Sequence, residues 1–269
     1  MSKPASEPAR TSETAGPALA GRHAVVTGGG RGIGAAIARH LAGLGAAVTV
    51  MGRDVSRLEE TAAALPGAYA LACDVTDEAA VGRAFAQAVA QTGAAHILVN
   101  NAGAAVSAPL ARTTLEQFRA MIEVNLTGAF LCCRAVLPAM LAAGTGRIVN
   151  IASTAGLTGG AYISAYCAAK HGLVGLTRAL ALETADKGIT VNAVCPGYTE
   201  TAMAHRAIAT IVEKTGRSEA EARAELVKTN PQGRLVQPEE VAATVAFLCQ
   251  AGAESITGQA IVLAGGEVT

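Results

Sequence analysis

The sequence is poor in aromatic residues and in charged residues. It has no tryptophan, and aromatic side chains make up 3% and charged side chains 16% of its 269 residues. Hydrophobic residues account for 51%, so the core has to be built from Ala, Val, Leu and Ile. This composition is typical of helices packed closely on a parallel sheet. The length suffices for one large α/β domain, and no second domain is required.

An excess of charge of either sign is also absent. The 21 basic and 21 acidic residues cancel, which argues against nucleic acid or an anionic membrane as a partner. We expect no apolar run of membrane-spanning length, because Arg134 interrupts the best candidate, residues 129–141. The six cysteines lack CxxC or histidine-paired spacing, so the sequence predicts buried thiols, a reducing compartment and no metal site.

The first 20 residues differ from the rest of the chain. They are rich in Pro, Ser, Ala, Glu and Thr and contain no apolar h-region, which predicts a disordered tail and not a signal peptide. Residues 21–269 are then expected to form a single domain. Together with the missing membrane span, this predicts a soluble, cytoplasmic protein.

A short apolar run at residues 23–27 leads into a glycine-rich turn, and residues 35–44 follow at helical spacing. Strand, glycine turn and helix in this order favour a dinucleotide site, although glycines alone would also fit a flexible turn. The glycines let the backbone approach a pyrophosphate, and the helix N-terminus offers free amide donors. The predicted cofactor-binding residues here are Thr27, Gly28, Gly30, Arg31, Gly32, Ile33 and Gly34.

The second predicted strand, residues 47–51, is followed by Gly52, Arg53 and Asp54. A carboxylate directly after this strand would bind the adenosine ribose of NAD, and Gly52 stands there instead. Arg53, with Arg31 as a second cation, could hold a 2′-phosphate. The sequence therefore favours NADP(H), with NAD(H) possible if Asp54 reaches the ribose or Arg53 is only solvated.

Two further strands, residues 68–73 and 96–100, end in polar residues. Asp74 and Val75 follow the first and are predicted to border the adenine; alternatively Asp74 belongs to a helix cap, with Thr76 or Asp77 as the actual cap. After the second strand come Asn101, Ala102 and Gly103. These residues are predicted to tie loops together and to border the cofactor.

Tyr166 and Lys170 lie four apart in a segment with helical spacing, so both side chains share one face. A cation beside a phenol favours the phenolate and suits acid–base catalysis, although such a pair is also common on protein surfaces. Ser153 follows the apolar strand 146–151. Asn125 lies among apolar residues of a predicted helix, 115–143, where it is either structural or functional.

The last third of the chain contains a strand at 189–194, a turn with Pro196, Gly197 and Thr199, a helix beginning at Pro238 and a final strand within 256–266. Residues 199–236 are more polar and are predicted to form a substrate lid. Strands and helices alternate throughout. The predicted fold is therefore α/β, a single Rossmann-type doubly wound parallel sheet of about seven strands with helices on both faces.

With these motifs in register, the chain resembles the short-chain dehydrogenase/reductase family from about residue 21 to its end. The resemblance implies a nicotinamide cofactor, a homotetramer built on the helices around 125–142 and 166–183, and a catalytic tetrad. The tetrad residues would be Asn125, Ser153, Tyr166 and Lys170.

The resemblance also implies a role for each tetrad residue. Tyr166 would exchange a proton with the substrate oxygen, to which Ser153 would hydrogen-bond. Lys170 would bind the nicotinamide ribose and lower the tyrosine pKa, and Asn125 would hold a water that connects Lys170 to solvent. Residues 156–163 would form a wall of the substrate pocket.

Within the family, the chain looks most like bacterial 3-oxoacyl-thioester reductases, 3-hydroxyacyl-CoA dehydrogenases and polyketide ketoreductases. Members acting on large aromatic precursors often have Pro-Gly-Gly where residues 104–107 read Ala-Ala-Val-Ser. The predicted substrate is therefore a 3-oxoacyl or 3-hydroxyacyl thioester, with an acyl-CoA as one candidate. Its phosphates could attract four cations that are otherwise solvated: Arg112, Arg206, Lys214 and Arg217.

Two alternatives remain open at this stage. One is an NAD-dependent dehydrogenase of a simple secondary alcohol or hydroxy acid. The other is a regulator that binds a cofactor without chemistry, since the fold alone does not fix function.

Overall fold

One parallel sheet of seven strands lies at the centre of the molecule. The computed structural model describes residues 17–268. The strands are paired in the order β3-β2-β1-β4-β5-β6-β7, and all six pairs are parallel. They are β1 His23–Thr27, β2 Ala47–Gly52, β3 Tyr69–Ala72, β4 Ile97–Asn100, β5 Gly146–Ile151, β6 Ile189–Pro196 and β7 Ala260–Leu263. The strand order reverses between β1 and β4, which places a binding crevice at their carboxyl ends.

Helices cover both faces of the sheet. They are α1 Gly32–Gly43, α2 Val55–Ala63, α3 Glu78–Thr92, α4 Leu115–Ile122, α5 Gly128–Ala143, α6 Ser164–Thr184, α7 Ala202–Thr215, α8 Glu219–Val227 and α9 Pro238–Cys249. Neighbouring residues of β1 alternate between the two cores: Val26 packs in one cluster with α1 and α9, and Val25 in the other with α3 and α5. Because both faces are covered, the strands read as continuous apolar runs. The predicted Rossmann-type α/β fold is confirmed.

The folded part of the chain begins before the predicted boundary at residue 21. Leu19 is only 2% exposed, and its N–H donates to the carbonyl of Leu44 over 2.8 Å. Leu19 is ordered because it is buried beside the end of α1, a contact that the amino-acid composition does not reveal. Residues 1–16 of the predicted tail lie outside the described residues.

Among residues 17–268, one helical stretch, Leu115–Ala143, is long and apolar enough to cross a membrane by length and composition. The expectation that no run reaches this length is therefore wrong by that measure. About 39% of its most apolar window is buried in the molecule, and core helices of soluble proteins meet the same criterion. This finding alone is weak support for a membrane span.

All six cysteines are buried and free. Burial raises the pKa of Cys73 to about 11 and that of Cys133 to about 12, so these thiols are inert at neutral pH. Between residues 17 and 268, no group of three or more His, Cys, Asp or Glu side chains is placed to hold a metal ion.

Candidate active site

The turn between β1 and α1 brings its backbone unusually close to its neighbours. Gly28 has a φ of 63°, and its N–H donates to the carbonyl of Met51 over 2.7 Å. A Cβ on Gly34 would lie 2.3 Å from the carbonyl oxygen of Gly28, so only glycine fits there. Arg31 occupies the N-cap position of α1 without a side-chain cap hydrogen bond. The first amides of α1 are left for an anion, and this cradle fits a dinucleotide pyrophosphate.

The other predicted residues of this turn, Gly30, Gly32 and Ile33, lie against the elements around it. A Cβ on Gly30 would lie 3.2 Å from Cβ of Arg57, and one on Gly32 would lie 3.2 Å from the methyl group of Thr201. Ile33 is half-buried against the apolar cluster beneath α1. The turn is therefore enclosed by α2 on one side and by the start of α7 on the other.

A network of hydrogen bonds joins the ends of β1 and β4. The Thr27 hydroxyl accepts from the N–H of Asn101 at 3.0 Å and from that of Ala102 at 3.1 Å. The Asn101 amide in turn donates to the carbonyls of Thr27, at 2.9 Å, and Gly28, at 3.2 Å. These residues hold the glycine turn in place. Their contact with a cofactor remains a prediction.

Asn100, the preceding residue, turns into the core. Its amide donates to Asn150 Oδ1 over 2.9 Å, and Asn150 donates to the Thr177 hydroxyl over 2.8 Å. This buried chain links β4, β5 and α6. Asn100 therefore connects core elements of the fold.

The carboxyl ends of β2 and β3 present cations and two carboxylates. Arg53 has a side chain 79% exposed and lies 4.0 Å from Asp74; Arg31 is exposed as well. Asp54 caps α2 and forms an ion pair with Arg57 at 3.0 Å. Because Asp54 is engaged in both contacts, it is not directed to the ribose, as the NAD(H) alternative requires.

Asp74 lies in a tight turn and does not cap a helix. Its carboxylate accepts from the backbone N–H and the hydroxyl of Thr76, at 3.0 and 2.8 Å, and the backbone hydrogen bond lowers the pKa of Asp74. Asp77 is the N-cap of α3, as the alternative interpretation predicted. The side chain of Val75 is buried and lies beside Gly128 of α5.

The turn after β6 is fixed to β7 and to the segment that follows. Gly197 N–H donates to the carbonyl of Leu263 over 2.9 Å, directly after Pro196 ends β6. The Thr199 side chain is buried and donates to the carbonyl of Gly197 over 3.0 Å. These three predicted residues lie at the carboxyl edge of the sheet, the same edge that carries the glycine turn.

Asn125 lies in a π-helical turn, Glu123–Thr127, that separates α4 from α5. Its amide donates to the carbonyls of Ala104, at 2.9 Å, and Met121, at 3.0 Å, and its oxygen accepts from Ala104 N–H at 3.3 Å. The predicted helix over 115–143 is thus interrupted where a functional residue was proposed, and π-turns are frequent at such places. A proline at position 104 would lack the N–H that Asn125 binds.

Ser153 follows β5 and begins a short 3-10 turn. Its hydroxyl oxygen accepts from Ala155 N–H over 3.1 Å, which fixes the side chain at the carboxyl edge of the sheet. The Ser153 side chain also lies beside the phenol of Tyr166, where it lowers the pKa of that phenol.

Lys170 is almost fully enclosed. Its side chain is 4% exposed, its ammonium donates to the carbonyl of Ile151 over 2.8 Å, and Nζ lies 5.6 Å from the centre of the Tyr166 ring. A Cβ on Gly103 would lie 2.7 Å from Asn125 Oδ1 and 3.7 Å from Lys170 Nζ. Gly103 therefore lies between Asn125 and Lys170, and Lys170 connects this pair to Tyr166.

The predicted depression of the tyrosine pKa by Lys170 does not appear in the structure. Burial raises the pKa of Tyr166 to about 12, and the hydrogen bond with Ser153 opposes this rise. Burial lowers the pKa of Lys170 to about 8. Burial of the phenol is the largest cause of its pKa shift, and it outweighs the effect expected from the Lys170 ammonium, which is hydrogen-bonded to the Ile151 carbonyl. Tyr166 consequently remains a protonated donor over the whole physiological pH range.

Four residues near the site were not singled out from the sequence, although Tyr162 lies in the predicted pocket wall, 156–163, and Thr201 in the predicted lid, 199–236. Arg57 and Thr201 flank the glycine turn, and Ala104 holds Asn125 by both backbone groups. Tyr162 is the only non-glycine residue between positions 17 and 268 with a positive φ, at 67°. Arg57 carried a signal of its own in the sequence, as a cation three residues after Asp54.

A family model for short chain dehydrogenases matches residues 22–211. The chain belongs to the short-chain dehydrogenase/reductase family. Its membership confirms the predicted class of enzyme, an oxidoreductase acting on CH–OH groups.

Individual relatives agree with this assignment. A protein named granaticin polyketide synthase putative ketoacyl reductase 1, from Streptomyces violaceoruber, is 44% identical over 265 residues, which cover 96% of this chain and 97% of the relative. A cis-4-hydroxycyclohexanecarboxylate dehydrogenase from Sinomonas cyclohexanicum is 43% identical over 256 residues, which cover 93% and 98%.

A solved structure is also similar to this dehydrogenase. It is the crystal structure of a single-residue variant of actinorhodin polyketide ketoreductase with NADPH, with a TM-score of 0.88 and 42% identity, covering 91% of this chain and 97% of that one. The predicted likeness to polyketide ketoreductases is confirmed, although residues 104–107 differ from the Pro-Gly-Gly expected of that subgroup.

Proposed function

We propose that this dehydrogenase reduces the 3-oxo group of an acyl thioester with NADPH, or oxidises the corresponding 3-hydroxyacyl thioester with NADP. The observation that carries the chemical part of the proposal is the cluster of Ser153, Tyr166 and Lys170, with Lys170 Nζ fixed on the Ile151 carbonyl at 2.8 Å. When bound, the nicotinamide cofactor supplies or accepts the hydride.

The side chains of the cluster divide the remaining work. The phenol of Tyr166 donates its proton to the substrate oxygen as negative charge develops there, and it takes the proton back in the reverse direction. The hydroxyl proton of Ser153 stabilises the same oxygen. Lys170 places a positive charge beneath the ring while it is protonated, which is the case below its pKa of about 8. Asn125 keeps residue 104 in place beside the cluster.

The preference for NADP(H) is supported by the charges at the end of β2. Arg53 is exposed, Arg31 lies in the adjacent turn, and Asp54 is engaged as a cap and ion-pair partner of Arg57. Two guanidinium groups near an uncapped helix N-terminus suit a 2′-phosphate better than a ribose hydroxyl. The structural relative was solved with NADPH.

A thioester substrate is supported by the segment after β6, which we propose as the substrate lid. Its helices α7 and α8 share a small apolar cluster of Ile208, Ala222 and Leu226, and an ion pair joins Glu200 to Arg223. Among residues 17–268, Arg206 and Lys214 form no ion pair and remain exposed. These two cations are free to meet the phosphates of a CoA or carrier-protein arm, whereas Arg217 is paired with Glu225.

A simple cyclic alcohol is a second candidate substrate. The name of the Sinomonas relative states that it oxidises a hydroxylated cyclohexane carboxylate, which carries no thioester.

For the assembly, we propose a homotetramer, which is supported by large exposed side chains on the two long helices: Phe130, Leu141 and Leu182.

The substrate proposal is tested by comparing acetoacetyl-CoA with 2-pentanone, a ketone without the thioester. NADPH or NADH oxidation is followed by absorbance at equal substrate concentration. We expect kcat/KM to be at least about tenfold higher for the thioester and for NADPH, since one tenfold step corresponds to a single additional ionic contact. An equal or higher kcat/KM for the plain ketone would contradict the thioester proposal. A higher kcat/KM with NADH than with NADPH would contradict the cofactor preference.

A further inference from the structure

We infer that Tyr162 is a specificity-determining residue whose ring lies against a cyclic part of the substrate. This inference rests on the proposed ketoreductase function and extends it by naming a class of substrate. It concerns a residue that neither the tetrad nor the cofactor cradle uses.

The backbone of Tyr162 is in a conformation that aromatic residues rarely adopt. Its φ is 67°, and no other non-glycine residue in the described part of the chain has a positive φ. In this region Cβ crowds the backbone, and glycine or asparagine is the usual occupant. A tyrosine here is therefore unfavourable for the fold itself.

A hydrogen bond holds the residue in this conformation. The N–H of Ala108 donates to the carbonyl of Tyr162 over 2.8 Å. This bond connects the wall between Ser153 and Tyr166 with the loop that follows β4. It requires only the main chain, so it explains the conformation but not the choice of tyrosine.

Burial within the chain does not explain the tyrosine either. Tyr162 is 64% exposed, so most of its ring faces solvent. Strained residues that are retained without compensating burial are found mainly at functional sites. The ring itself is then the feature that needs a partner.

The surroundings of the ring indicate what that partner is. Tyr162 borders a narrow groove lined by apolar and polar side chains: Val106, Ala108, Met121 and Ala165, with Thr113, Gln117 and Ser164. The groove adjoins the tetrad, because Ala165 directly precedes Tyr166. An exposed phenol ring beside this partly apolar groove suits a flat ring, which it can stack on or meet edge to face. A linear acyl chain offers no such face.

The test compares two variants on two ketones of similar size, α-tetralone with fused rings and the linear 2-octanone. Tyr162→Asn removes the ring but fits a positive φ, and Tyr162→Phe keeps the ring and removes the hydroxyl. With NADPH saturating, we expect Tyr162→Asn to lower kcat/KM for α-tetralone about tenfold, mainly through KM, and to change 2-octanone by less than about twofold. Tyr162→Phe should stay within about twofold of wild type on both ketones.

Tyr69→Asn is the matched control. Tyr69 is 40% exposed and lies on β3, away from the groove, so its loss should affect neither ketone. A melting temperature for Tyr162→Asn equal to or above that of wild type would show that the fold does not need the ring.

The inference is overturned if Tyr162→Asn lowers kcat/KM equally for both ketones, or if the wild-type enzyme prefers 2-octanone. A wild-type protein that reduces neither ketone nor a 3-oxoacyl thioester would overturn the proposed function, and this inference would fall with it. Turnover of the thioester without any effect at Tyr162 would overturn the inference alone.

Discussion

The two ends of the central sheet both bury polar side chains, but they use them differently. At the amino end, His23 is 2% exposed and bonds on both ring nitrogens, to the Gly93 carbonyl at 2.8 Å and to the Thr49 hydroxyl at 2.9 Å. Its backbone N–H donates to Nδ1 of His96 over 3.0 Å. Since a carbonyl can only accept, Nδ1 of His23 carries the proton and Nε2 accepts from Thr49.

At the carboxyl end, the polar groups keep unused hydrogen-bonding capacity. The ammonium of Lys170 has three donors, and among residues 17–268 it finds one acceptor, the Ile151 carbonyl. Ser153 accepts from Ala155 and retains its hydroxyl proton. A polar cluster whose hydrogen bonds are all made therefore stabilises the fold, whereas a cluster at the strand ends with hydrogen-bonding capacity left is available for chemistry.

The largest effect that sharpens this comparison is expected at Ser153. Ser153→Ala should lower kcat about 10²- to 10³-fold because a donor to the developing oxyanion is lost. The unfolding free energy should fall by only about 1 kcal/mol through the lost turn cap. Steady-state kinetics and urea unfolding measure the two quantities. Ser255→Ala, at an exposed position of the amino end, is the control; a loss of kcat below threefold at Ser153 would refute the assignment.

The converse effect is expected at the amino end. His23→Ala should lower the unfolding free energy by about 2–4 kcal/mol, because it opens a cavity and removes two buried hydrogen bonds. Thr49→Val, which loses one partner and keeps its shape, should cost about 1–2 kcal/mol. In both variants kcat/KM per folded molecule should remain near that of wild type. A selective loss of activity with unchanged stability would break the distinction between the two ends.

The smallest effect is a dependence of stability on pH. Burial lowers the pKa of both His23 and His96, so the unfolded chain binds more protons than the folded one at acidic pH. Stability is then complete above the unfolded value of about 6.5 and falls as the pH drops below it, by at most about 1.4 kcal/mol per pH unit for each histidine. His96→Asn should flatten this slope in urea unfolding between pH 5 and 7. An unchanged slope would show that His96 does not contribute.

Much of this arrangement is predictable from the sequence because it depends on local patterns. Apolar runs and glycine spacing predict the strand, turn and helix around Gly28, and the four-residue spacing places Tyr166 and Lys170 on one helical face. The reversal of strand order at β1 and β4 then brings the predicted residues to one edge of the sheet.

The features that escape prediction depend on contacts between distant segments. The π-turn at Asn125 is tied to Ala104, 21 positions away, and the φ of Tyr162 is held by Ala108. The rise of the Tyr166 pKa results from burial, which residue spacing does not report. The four-residue spacing correctly predicted that Tyr166 and Lys170 are neighbours. It predicted a lowered pKa for Tyr166, whereas burial raises that pKa.

The central claim is that the carboxyl-end cluster moves a proton through Tyr166, and one variant tests it most directly. Tyr166→Phe preserves the ring over Lys170 and removes only the hydroxyl. In single-turnover oxidation of bound NADPH by acetoacetyl-CoA, we predict a rate at least about 10²-fold below wild type, with NADPH affinity within about twofold and a melting temperature within about 2 °C. A rate within threefold of wild type would contradict the account.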